Sequence, residues 1–169
     1  MKEEIESALK ELGAKNGLEI AFDENGACTL GLADERVLIL QERDDLNELD
    51  FVANLGPVPE EIRGAVFTDL LAANFYWKET FGATLSWNAD LEEVVLIYPL
   101  SLADATPESV ETILTRFAEL QDMWAERLAG MISTAQKYEA GESDEEDEEG
   151  ADDDAEAGEE EKDDLIINP

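Results

Sequence analysis

GPVPEEIRGAVFTDLLAANFYWK, residues 56–78, is the densest apolar helical stretch in the chain, and its neighbours read outward from it. Pro57 and Pro59 stop any preceding strand. Pro59 suits a first helical position, where its missing N–H costs nothing. Glu60 and Glu61 set negative charge against the positive end of the helix dipole. Ile62, Val66, Leu70 and Ala73 then line one face. Phe67, Leu71 and Phe75 extend it, and Ala65, Ala72 and Tyr76 widen it further. A helix apolar over most of its circumference is buried on two sides. One side belongs to the domain's own sheet; the other meets either a second subunit or, in a monomer, the rest of the core.

Upstream, residues 3–14 read as a short amphipathic helix with Ile5, Ala8, Leu9 and Leu12 on one face. Leu18 to Phe22 alternates as a short edge strand would. Asp23-Glu24-Asn25-Gly26 then carries the Asn-Gly turn signal. Ala27 to Leu32, Arg36 to Glu42 and Glu48 to Leu55 follow as three strands joined by short turns, an antiparallel meander. Val37-Leu38-Ile39-Leu40 is apolar on both faces, so both faces need cover. Downstream, Gly82 breaks the helical pattern, and Ala83–Trp87 with Glu93–Tyr98 form a second hairpin. Thr106-Pro107-Glu108 is a helix start with a cap, a first-turn proline and an acid. Its apolar residues keep a 3.6 period from Val110 to about Lys137. The order is α-β-β-β-α-β-β-α. The expected class is α+β, a mainly antiparallel sheet flanked by helices.

The 169 residues carry 44 acidic and 11 basic side chains, a net of −33. From Glu139 to Pro169 there are 17 acids and one lysine. The chain thus divides into a domain at 1–138 and an acidic tail at 139–169, whose self-repelling charges predict disorder. The tail closes on Leu165-Ile166-Ile167-Asn168-Pro169, which reads either as a frayed end or as a short docking motif. So much negative charge argues against nucleic acid and anionic membrane as partners. Nothing resembles a signal peptide or a membrane span, and the cytoplasm is the expected compartment.

Chemistry is scarce. The chain has no histidine, the commonest general base and metal ligand. Cys28 is its only cysteine and sits mid-strand without a partner base, so it reads as a small buried apolar residue. No glycine spacing fits a phosphate loop, and the acids lack the loop geometry of a calcium site. No catalytic activity, cofactor or metal is expected. Binding is better supported: the first helix is too short to stand alone in water. An apolar groove beside an exposed strand edge would take an extended peptide.

Leu55-Gly56-Pro57-Val58-Pro59, followed by Leu70-Leu71-Ala72-Ala73-Asn74-Phe75-Tyr76-Trp77, gives the pattern L-G-P-x-P … L-L-x-A-N-F-x-W. Gly82-Ala83-Thr84-Leu85 and Phe22-Asp23-Glu24-Asn25-Gly26-Ala27-Cys28 add to it. With these motifs and this element order, the chain resembles the class I chaperones of bacterial type III secretion, the Tir-chaperone or CesT-like family. The resemblance covers about residues 3–132 and leaves out the tail. It implies a homodimer that binds the N-terminal region of a secreted effector in extended form, keeping it soluble and competent for secretion. As further partners it implies the secretion ATPase or a regulator. Carried over, the effector contacts are Ile5, Leu9, Leu12, Leu30, Leu32, Val37, Ile39 and Phe51. The dimer residues are Phe67, Leu71, Phe75 and Trp87. On this assignment Leu9→Asp with Ile39→Asp abolishes client binding and leaves a folded dimer. The tail supports a rival reading, an acidic decoy or regulator that sequesters a basic partner and is sensitive to salt.

Overall fold

The computed structural model describes residues 2–17, 20–31 and 36–141. Helix α1 spans Lys2–Asn16, and strands β1 (Ala27–Gly31), β2 (Val37–Arg43) and β3 (Glu48–Pro57) follow. Helix α2 (Arg63–Ala73) precedes the hairpin of β4 (Thr84–Asn88) and β5 (Glu93–Ser101), and α3 (Pro107–Glu139) closes the fold. All strand pairs are antiparallel, in the order β1-β2-β3-β5-β4. The α+β class and the element order are those read from the sequence.

Alternation decides what the sheet buries. Cys28, Leu30, Leu38, Leu40, Leu49, Phe51, Ala53 and Leu96 point to one face and are buried. Helix α3 crosses this face with Val110, Phe117, Trp124 and Leu128, and Phe117 meets Phe51 edge-on at 6.0 Å. Ile5 and Leu9 of α1, and Val66, Leu70 and Ala73 of α2, join the same core. Thr106 caps α3 by accepting from Ser109 N–H at 3.1 Å, and Ser109 Oγ accepts from Thr106 N–H at 2.8 Å. Gln121 is buried in α3 and donates from Nε2 to the carbonyls of Val37 and Asn54, both at 3.2 Å. It thereby ties the helix to one end of the β2–β3 ladder. Arg127 packs its guanidinium over the Trp124 ring at 4.6 Å and pairs with Glu79, which joins α3 to the turn after α2.

Two sequence expectations need correction. Residues 20–22 belong to no strand, and Leu18 and Glu19 lie outside the described residues. Instead Ile20 is buried, Phe22 packs on the core, and Asp23 folds the chain back. Its Oδ1 accepts from Asn25 N–H at 2.8 Å and Ala27 N–H at 2.9 Å, bonds that hold its carboxyl below the usual carboxylate range. The helix read across residues 59–78 is broken at both ends: Glu60–Ile62 and Phe75–Trp77 are 3-10 turns around an 11-residue α-helix. Of the tail read as disordered, Glu139 instead ends α3, and residues 142–169 lie outside those described.

The break after α2 has a visible agent. Asn74 turns its side-chain amide toward β4, accepting from Leu85 N–H at 2.9 Å and donating to Leu85 carbonyl at 3.0 Å. The amide thus acts as one more rung on an edge strand. Asn74→Ala is expected to lower stability by about 1–3 kcal/mol, since it orphans two half-buried backbone groups. Urea unfolding checks this, and an unchanged midpoint would contradict it.

Candidate functional site

The helices leave the second face of the sheet uncovered, and its residues are not those of an ordinary solvated sheet. Register places Thr29, Ile39, Val52, Ile97 and Thr84 in one row across all five strands. Val37 lies beside it on the same face, as does Val95, which is itself buried. Val37 is 39% exposed, and Ile39, Val52 and Ile97 are half-buried. A five-strand row of β-branched side chains is a stiff apolar surface, because these residues have little rotamer freedom to lose on binding.

Asp50 lies on this face between Gln41 and Pro99. It is only 8% exposed, and its Oδ1 has no hydrogen-bond partner among the described residues. Arg43 Nη1 stands 3.6 Å from its other oxygen. Burial pushes the Asp50 carboxyl above its ordinary value, and Arg43 opposes this without cancelling it. A carboxyl whose pKa is raised on folding favours the folded state only while protonated. That contribution is present at acid pH and is lost as pH rises through the folded pKa. Asp50→Asn is therefore expected to raise the Tm at pH 7, with the advantage vanishing as pH falls toward the ordinary carboxylate range. An equal or lower Tm at pH 7 would contradict this.

A second apolar surface lies at the end of α2. Leu71 and Phe75 are each 71% exposed, with Tyr76, Trp77 and Phe81 beside them in sequence and also exposed. Phe75 and Tyr76 stack edge-on at 4.4 Å. Tyr76, Trp77 and Phe81 all have positive φ, 56°, 52° and 51°. Such backbone costs bulky residues roughly 1–3 kcal/mol each and concentrates at functional positions. Trp77 is held by its indole N–H donating to Thr84 Oγ1 at 3.2 Å. Nearby, Phe67 packs on Trp87 at 5.0 Å, and Arg63 lies over the Trp87 ring at 4.9 Å while pairing with Glu92 at 2.8 Å.

The residues assigned to effector contact fall in three places. Val37 and Ile39 share the open sheet face. Leu30 and Phe51 face the helices and are buried in the core. Ile5 and Leu9 are buried in α1, with Leu12 half-buried at the α1–α3 seam. Leu32 lies outside the described residues. Leu9 is 1% exposed, so Leu9→Asp would place a charge in the core and unfold the domain, not report on client binding as the sequence reading had it. Of the four dimer residues, Leu71 and Phe75 are open to solvent, and Phe67 and Trp87 are half-buried against each other. Sequence reasoning passed over Val52 and Ile97, although β-branched alternation marks them. It also missed Trp77 and Phe81, whose exposure follows from a turn with no sequence signature.

Among the described residues, no cluster of acids and cysteine could hold a metal ion. Burial pushes the Cys28 thiol up, away from a reactive thiolate. No helix among those residues is long and apolar enough to cross a membrane.

The family model of the Tir chaperone protein (CesT) family matches residues 7–125. No curated protein sequence matches the chain. Several solved structures share the fold. A chain of the ExsC–ExsE complex has a TM-score of 0.63 at 21% identity, covering 73% of this chain and 92% of that one. A chain of the ExoU–SpcU heterodimer from the type III secretion system of Pseudomonas aeruginosa gives 0.56 at 19%, covering 76% and 97%. A chain from the Yersinia pestis type III secretion chaperone SycH with a fragment of YscM2 gives 0.54 at 19%, covering 70% and 98%.

Proposed function

This chain belongs to the Tir chaperone protein (CesT) family and is thereby a type III secretion chaperone for a secreted effector; we propose that it works as a homodimer, holding the effector's N-terminal region extended across its open sheet faces. The observation that carries this reading is the uncovered row Ile39–Val52–Ile97 with Val37 beside it. Burying apolar surface gives about 25 cal/mol per Å², with little demand on client sequence. Extended binding keeps the client from collapsing on itself. The solved complexes of similar fold, ExoU with SpcU and SycH with a YscM2 fragment, support a protein as the partner.

In this reading Leu71 and Phe75, with Tyr76 and Trp77 beside them, pair the two subunits, and Phe67 and Trp87 brace them from within. The chaperone acts in the bacterial cytoplasm by binding alone, without catalysis or cofactor. Its further partners are the secretion ATPase or a regulator, with no role for nucleic acid or membrane. The test is capture of client by the tagged full chain from the native bacterium, followed by binding assays on fragments of the captured protein. Retention of one secreted protein through its N-terminal region supports the reading. Capture that maps to any other region of the client, or no secreted protein at all, overturns it.

A further inference from the structure

We propose that a groove beside α3 is the docking site of this chain's own C-terminal segment, Asp163-Asp164-Leu165-Ile166-Ile167. The groove has a volume of about 470 Å3. Ile113, Phe117, Leu120 and Met123 line it from α3, and Tyr98 of β5 and Phe81, in the turn before β4, complete the lining. Met123 and Phe81 are well exposed for apolar side chains, so the surface lacks cover. Arg116 and Glu119 mark its rim, and Arg116 has no ion-pair partner among the described residues.

Residues 142–169 contain one run of large aliphatic side chains, Leu165-Ile166-Ile167, and two aspartates immediately precede it. Three aliphatics suit the apolar floor, and Asp163 and Asp164 suit Arg116. The length of the connection also fits. At 1.5 Å per helical residue, α3 carries the chain about 38 Å from Arg116 to Gly141. The 23 residues 142–164 lead back. A flexible chain of that length has a root-mean-square span of about 24–29 Å, and like charges lengthen it. That mean span is shorter than the gap, but 23 residues extended reach well past it. A short flexible tether that can span its sites gives an effective concentration on the order of millimolar, enough for a short segment of weak intrinsic affinity. Occupation would hide this apolar surface whenever no other ligand displaces the segment.

The test uses the full chain with methyl-labelled methionine and a nitroxide on Asn168→Cys in a Cys28→Ala background. The Met123 methyl signal is expected to broaden strongly, and the broadening to be lost when Leu165→Ser, Ile166→Ser and Ile167→Ser are added and weakened by Arg116→Glu. Without any label or cysteine change, the Met123 methyl shift should also move between the wild type and the triple serine chain. Broadening that survives the serine changes would reflect the tether alone and overturn the proposal. Broadening found only on mixing spin-labelled with isotope-labelled chains would assign the groove to a second copy's tail and overturn it as well. An unmoved Met123 methyl in the unlabelled pair would do the same.

Discussion

Leu71→Asp with Phe75→Asp is expected to halve the mass of the protein in solution, from a dimer to the 18.7 kDa single chain, while the far-ultraviolet circular dichroism stays unchanged. Both side chains are largely exposed in the single chain, so neither substitution opens a cavity or buries a charge within it. In a dimer paired through this surface the same aspartates are desolvated without partners. A buried unpaired charge costs several kcal/mol, and two of them weaken association by roughly a thousandfold or more. Light scattering reads the mass directly. A dimeric mass for the variant would remove Leu71 and Phe75 from the subunit interface. A monomeric mass for the wild type would remove the dimer.

Val37→Asp with Ile39→Asp is expected to abolish client binding and keep the dimeric mass. Val37 is exposed and Ile39 half-buried on the open face, so the cost to folding is confined to β propensity and a modest loss of neighbour contact. Losing two apolar anchors worth about 1.5–3 kcal/mol each when fully buried weakens binding by roughly a hundredfold or more, before the aspartates' own desolvation is counted. Leu9→Asp is the contrasting control: it should lose the fold and therefore bind nothing. A Val37/Ile39 variant that retains the client with wild-type affinity would move the client off this face.

The local punctuation of the fold was legible in the sequence. Asn25-Gly26 marks a turn where Gly26 takes φ 71°, Pro57 and Pro59 end β3, and Thr106-Pro107 starts α3 with a capping box. These are short-range effects, set by backbone sterics within a few residues. Pairings between distant segments were not legible. Alternation within Ile20–Phe22 is not matched by a ladder: the chain there belongs to no strand, and Asp23 folds it back by accepting from Asn25 and Ala27 N–H. Ile5 and Leu9 lie in the core because α1 docks on α3, a tertiary fact that amphipathicity alone does not specify. Phe51 and Ile39 have similar sequence surroundings, yet their parity along adjacent strands sends one under α3 and the other to the open face. The left-handed turn at Tyr76 and Trp77 was hidden for another reason. Glycine or asparagine would have announced it, and here Asn74 stabilises the break from outside the residues that carry the strain.

The most direct test of the central claim is the affinity of the captured client's N-terminal segment for the full chain, measured at low and at moderate salt and without nucleotide. Binding through apolar sheet surface predicts a dissociation constant that changes little, because salt screens charges beyond about 10 Å at 0.1 M and leaves apolar burial intact. A loss of tenfold or more over that range would contradict the account and point to the acidic tail as the binding element.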